Sequence, residues 1–175
     1  MVPPMIHDDH PFQDPPDERD PVRQFRGRLV APVTVVTAGG EDSRAGLTVS
    51  SLMVAEGDPA SVLALIGPTT DLWEQIEATE AFVVHILDDA QREHGEAFAG
   101  TRPRPGGPFA EVEVTQSPWG PVLDSFHNRL FCRLADSKTL PFHQLVEGLV
   151  EKAEVADLDD PATYFRGGYR RLEKK

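Results

Sequence analysis

Cysteine is almost missing from this chain. Cys132 stands alone among 175 residues, so neither an internal disulfide nor a Cys-x-x-Cys redox or zinc site can form. Such cysteine usage suits a reducing cytoplasm. Positive charge is also scarce, with 17 Lys and Arg against 29 Asp and Glu and a formal net charge of -12. Binding to a phosphodiester backbone or an anionic lipid surface depends on cations, which makes nucleic acid and membrane poor partners. No basic start followed by a long apolar run opens the sequence, and no stretch nears the ~18 apolar residues that a spanning helix needs. The expectation is a soluble cytoplasmic protein whose length suits one domain with its own core.

Residues 1–20 mix Pro3, Pro4, Pro11, Pro15 and Pro16 with Asp8, Asp9, Asp14, Asp17, Glu18 and Asp20. With little to bury, this segment is expected to be a mobile acidic tail, leaving 21–175 as the folded domain. Its His7 and His10 are too few ligands for a metal site, and none is expected elsewhere. Val22, Phe25 and Leu29 recur at helical spacing and predict a helix over 21–29. The β-branched run 33–38 ends at Gly39-Gly40 as a strand would, and a second strand over 46–54 returns beside it. The apolar run 60–66 reads as a strand covered on both faces. Asp71 and Glu74 have capping-box spacing ahead of Leu72 and Ile76, which starts a helix. Further strands are expected over 82–87, 112–115, 121–123, 128–134, 143–155 and 168–172, with a helix over 88–99 and a loop over 102–108. Many short strands with few helices predict a mainly β fold, a β-barrel with peripheral helices.

Hydrolytic and nucleotide-binding signatures are missing: no Gly-x-Ser-x-Gly, His-Glu-x-x-His, Gly-x-Gly-x-x-Gly or Walker-type Gly-Lys-Ser/Thr occurs. Cys132 shares a strand face with Leu130 and Leu134, the setting of a buried core thiol rather than of a nucleophile. The most informative segment is Gly46-Leu47-Thr48-Val49-Ser50-Ser51. In a strand, Thr48 and Ser50 line one wall while Leu47 and Val49 face the other. Small hydroxyls both donate and accept, which suits the alternating carbonyl and imine edge of a flavin. A polar strand facing solvent reads equally well from spacing alone.

Three stretches in order, Ala31-Pro32-Val33-Thr34-Val35-Val36-Thr37, Gly46-x-Thr48-x-Ser50-Ser51, and Asp58-Pro59 leading into an apolar strand, resemble the short-chain flavin reductase family. The resemblance continues through Phe82-Val83-Val84-x-Ile86-Leu87, Gln91, Phe98-Ala99-Gly100 and the Cys132 strand to Gly168-Tyr169-Arg170-Arg171-Leu172, covering roughly residues 22–172. It implies an FMN-binding split β-barrel, Greek-key-like and homodimeric, with flavin at the subunit interface. It also implies NAD(P)H-dependent reduction of FMN or FAD by hydride transfer to N5, and a flavin-dependent monooxygenase that takes the product. Carried over by position, Thr48, Val49, Ser50 and Ser51 would meet the ring and ribityl chain, and Pro68, Thr69 and Thr70 the flavin phosphate. Thr70 and Asp71 suit a plain helix cap equally well.

Two positions depart from the family pattern. Many members have Gly-Asp-His where this chain has Pro141-Phe142-His143, keeping only the histidine that the resemblance sets close to the nicotinamide. His85 stands where the strand commonly carries Asn, either as a cofactor contact or as a core histidine. Arg44, Arg102 and Arg104 are candidates for cofactor phosphates or for solvated surface. Two other readings stay open: a split-barrel flavin- or deazaflavin-dependent reductase of another small molecule, and a flavin-binding protein without turnover.

Overall fold

Ser50 and Ser51 break what reads in sequence as one strand over 46–54, and that break shapes the molecule. The computed structural model describes residues 20–172, so the expected tail falls outside them apart from Asp20. The elements are α1 (Pro21–Arg26), β1 (Ala31–Pro32), β2 (Thr34–Ala38), β3 (Ala45–Val49), β4 (Leu52–Ala55), β5 (Ser61–Ile66), α2 (Asp71–Thr79) and β6 (Ala81–Ile86). A 3-10 turn (Asp89–Gln91) then leads into α3 (Arg92–Phe98), followed by β7 (Val114–Ser117), β8 (Gly120–Leu123), β9 (Asn128–Thr139), β10 (Gln144–Glu154), β11 (Thr163–Phe165) and β12 (Gly168–Arg170).

Seven strands form one antiparallel sheet in the order β3-β2-β6-β9-β10-β5-β4. Its edges, β3 and β4, are consecutive in the chain and joined only by Ser50-Ser51. Laid flat, six strand spacings would separate those edges by roughly 29 Å, whereas the link from Val49 to Leu52 spans about 10 Å at most. The sheet must therefore curl until its edges meet. Inside the curl pack Val36, Val49, Val62, Ala64, Ile66, Phe82, Val84, Cys132 and Val146, and α2 plugs one end with Leu72, Trp73 and Ile76. The Phe82 ring of β6 can lie against β10 because position 148 is glycine: a Cβ there would lie 2.6 Å from Phe82 Cε1.

Several elements differ from expectation for identifiable reasons. In β5 buried and half-buried residues alternate, so only one face is covered, while β2 and most of β6 are buried on both faces. A second cluster of Val33, Val35, Leu87, Phe98, Leu123 and Phe126 covers the outer face of β2, which contact between α3, β8 and the sheet decides. The first helix stops at Arg26 with no buried residue, leaving Val22 and Phe25 in solvent despite their helical spacing. Thr70, one residue earlier than expected, caps α2 by accepting from the Trp73 N–H. The helix over 88–99 opens as a 3-10 turn, where Asp88 and Gln91 form a capping box. Cys132 lies in the core with Leu130 and Leu134, as its strand face predicts, and burial pushes its thiol up to about 12.

Candidate functional site

Strand register brings three separated segments together at the end of β5. Ser51 sits beside Leu65, its carbonyl accepting the Leu65 N–H and its hydroxyl donating to the Leu65 carbonyl at 3.0 Å. On the opposite side of β5, Gln144 pairs with Ile66 and Leu145 with Leu65. Beyond Ile66 the chain turns through Gly67, Pro68, Thr69 and Thr70 into α2. The Ser50-Ser51 bend, the 67–70 turn and the β9–β10 hairpin tip carrying His143 therefore flank one strand end.

Within this corner the polar groups differ in availability. Pro68, Thr69 and His143 are exposed, while Ser50, Ser51 and Thr70 are half-buried. The Ser50 hydroxyl has no hydrogen-bond partner among the described residues. Thr70 is partly committed, donating to the Gly67 carbonyl at 2.8 Å while capping α2. Asp71 and Glu74 occupy the first turn of α2 and oppose an anion there, whereas the exposed Thr69 hydroxyl just ahead of the helix favours one. A mixed set of hydroxyls and one imidazole, with a free Ser50 hydroxyl among them, fits the alternating donors and acceptors of a flavin edge.

Other residues singled out from the sequence serve different purposes. The wall expected from Thr48 and Ser50 ends with β3 at Val49. Thr48 instead turns to α3 and donates to the Gly95 carbonyl at 2.6 Å. The Val49 side chain is buried in the barrel core, and its carbonyl accepts from the Thr34 hydroxyl at 2.5 Å.

His85 corrects the expectation of a cofactor contact. It is fully buried, with Nδ1 at 3.1 Å from the Val35 carbonyl and Nε2 accepting from the Leu123 N–H at 3.1 Å. Because Leu123 must donate, the ring is neutral with its proton on Nδ1. Burial, opposed by the Val35 hydrogen bond and helped by the Arg129 charge, lowers its pKa to about 3. Both nitrogens are occupied by backbone, so this ring is a core bridge between β2, β6 and β8 with nothing left for a ligand.

The arginines considered for phosphates are largely engaged. Arg102 pairs with Glu96 at 3.3 Å and Glu93 at 3.7 Å, and Arg104 pairs with Glu111 and with Glu93 at 3.8 Å. Arg44 is half-buried, and its Nε has no partner among the described residues.

Two groups escaped the sequence reading. Gly95 must be glycine because a Cβ would lie 2.6 Å from the Tyr169 hydroxyl, and Arg92 stacks over that Tyr169 ring at 5.0 Å. The closing β11–β12 hairpin thereby braces α3, which in turn holds Thr48. Arg171 adds an ion pair to buried Asp89 at 2.7 Å, and Arg92 a second at 2.6 Å. Gln144, next to His143, donates from Nε2 to the Thr139 hydroxyl at 3.1 Å while its Oε1 has no partner among the described residues. Only pairing across strands could have revealed either group.

Comparison with known proteins gives a consistent result. A family profile described as a flavin reductase like domain matches residues 26–173. The reductase component of 4-hydroxyphenylacetate 3-monooxygenase from Thermus thermophilus is 32% identical over 155 residues, covering 88% of this chain and 97% of that protein. The NADH-dependent FMN reductase AsuE2 of Streptomyces nodosus subsp. asukaensis is 30% identical over 159 residues, covering 89% and 85% respectively. Among solved structures, flavin reductase PheA2 superposes with a TM-score of 0.78 at 26% identity, covering 89% of this chain and all of that one. The curled sheet is thus the split barrel that the resemblance implies.

Proposed function

The chain belongs to the flavin reductase like domain family, and from that premise we propose that it is an NAD(P)H:flavin oxidoreductase that reduces FMN or FAD and supplies a flavin-dependent monooxygenase. The observation that carries the reading is the meeting of Ser50, Ser51, Thr69, Thr70 and His143 around the end of β5, in a chain matched over nearly its whole length. Oxidation of NADH or NADPH, followed with and without FMN, FAD or riboflavin, tests it directly. Oxidation that no flavin accelerates would overturn it.

A flavin held by Ser50, Ser51 and Thr69 would supply the redox chemistry, as acceptor for the hydride of NAD(P)H. The protein's own residues bind and orient. Ser50 offers its free hydroxyl to the polar edge of the ring, Ser51 keeps only acceptor capacity because its hydroxyl donates to the Leu65 carbonyl, and Thr48 fixes β3 against α3 so that this edge is met at a set distance. Thr69, in the turn ahead of the acidic first turn of α2, receives the phosphate. His143 holds the nicotinamide from the hairpin tip. No acid–base pair is needed, because positioning two planar rings makes a bimolecular encounter effectively unimolecular, worth ~7 kcal/mol or more of barrier.

Ser50→Ala is expected to weaken flavin affinity by about 1 kcal/mol, roughly fivefold, and by more if a flavin atom is left buried and unpaired. Its hydroxyl holds no other part of the fold among the described residues, so the melting temperature should stay within a degree or two. Calorimetric titration beside a melting curve reads both quantities.

The working unit is a homodimer. Edge strand β4 leaves Met53 at 65% and Val54 at 53% exposure beside the Ser50-Ser51 bend, apolar surface that a second copy would cover. Light scattering at micromolar concentration should give about twice the 19.3 kDa chain mass, and a value near one chain mass would count against it. No helix among the described residues is long and apolar enough to cross a membrane. Cytoplasmic residence is proposed on the lone, unbridged Cys132.

A further inference from the structure

Phe142 leaves 81% of its surface exposed at the tip of the β9–β10 hairpin. A phenylalanine left in water forgoes the stabilisation that burial of a large aromatic ring supplies. The tip is not a loose loop. Pro141 restricts its backbone, and the Leu140 N–H donates to the His143 carbonyl at 2.8 Å, closing the turn. The preceding residues 135–139 are all exposed, so the core offers the ring nothing to lie on. No aromatic ring among the described residues stacks with it. Because Gln144 pairs with Ile66, the tip stands next to the Gly67-Pro68-Thr69 turn at the candidate site.

We propose that Phe142 is a stacking platform for a planar base of the nucleotide hydride donor, and so a specificity residue for that donor. The proposal rests on the reductase reading and on His143 meeting the nicotinamide. A protein partner would call for a continuous apolar patch, yet Pro141 and His143 on either side of Phe142 in the chain, and Pro68 and Thr69 in the turn that follows β5, are exposed and mostly polar or proline. An isolated aromatic face on a stiff turn instead suits one flat heteroaromatic ring, which gains from stacking without regard to its hydrogen-bonding edge. Nicotinamide and adenine both have such faces.

Steady-state kinetics of Phe142→Ala, Phe142→Leu and Phe142→Trp with NADH, NADPH and reduced nicotinamide mononucleotide test the proposal, alongside FMN titration and light scattering. Phe142→Ala and Phe142→Leu should raise the KM for the dinucleotide about tenfold, with FMN affinity and molecular mass unchanged. Phe142→Trp should stay near wild type, since it keeps a flat ring. A penalty that persists with the mononucleotide assigns the stacked ring to nicotinamide, and one that vanishes assigns it to adenine. Unchanged KM in every variant overturns the platform while leaving the reductase reading intact. An equal loss of FMN affinity, or a change in mass, assigns the ring to the flavin or to a second copy and also overturns it. A wild-type protein that oxidises no nicotinamide with any flavin defeats the reductase reading itself.

Discussion

His85→Ala is expected to destabilise the protein by about 4 kcal/mol, lowering the melting temperature by roughly 10 °C. The change strands two buried backbone groups, the Val35 carbonyl and the Leu123 N–H, and opens a cavity among fully buried neighbours. Each stranded group costs about 1–3 kcal/mol, and the cavity adds to that. His85→Leu separates the two contributions. It refills much of the volume but restores neither hydrogen bond, so it should recover less than half of the loss in urea unfolding.

The same ring makes stability depend on pH in a definite direction. Its folded pKa of about 3 lies below the ordinary 6.5, so folding favours the neutral form. Its contribution is fully present above pH 6.5 and is lost as pH falls from there toward 3, at up to about 1.4 kcal/mol per pH unit. Unfolding midpoints measured between pH 7 and pH 4 should fall more steeply in the wild type than in His85→Leu. Parallel curves would mean that the imidazole takes up its proton without disturbing the β2–β6–β8 bridge.

His143→Ala is expected to lower kcat/KM for NADH or NADPH by about 10- to 100-fold while leaving flavin affinity within twofold of wild type. The side chain is exposed on a hairpin tip, so its removal opens no cavity, and the melting curve should hardly move. Binding and turnover then come apart, as they must if the imidazole positions the nicotinamide and not the flavin. Stopped-flow reduction of bound flavin across NADH concentrations is the measurement. An unchanged reduction rate in a stably folded variant would remove His143 from the site, and a parallel loss of flavin binding would move it to the flavin's own contacts.

Residues close in sequence were the most legible. The β-branched run of β2, the apolar runs of β5 and β6, the start of α2 and the core setting of Cys132 follow from periodicity and turn chemistry, which act over a few residues. The ordered motifs from Ala31 to Leu172 were enough to imply the family, because their spacing is set by strand and loop lengths. Ser50 and Ser51 were legible as hydroxyls but not as a bend. An alternating pattern can be read straight through a corner, and only the closure of the sheet requires the chain to turn there.

Composition and local pattern, by themselves, determined that this is a mainly β protein without disulfides, poorly suited to nucleic acid, with hydroxyls between Gly46 and Ser51 and a histidine at position 143. Tertiary structure decided which of those groups a ligand can reach. His85 and His143 are the same residue type and each follows an apolar residue, yet one is sealed between two backbone groups and the other stands on an exposed turn. Thr48 and Ser50 sit two residues apart, yet α3 takes one hydroxyl and leaves the other free. Availability depends on which strands and helices pack across a given face. Those partners lie 15 to 50 residues away in the chain, from Val49 against Thr34 to Val35 against His85, a distance over which periodicity carries no information.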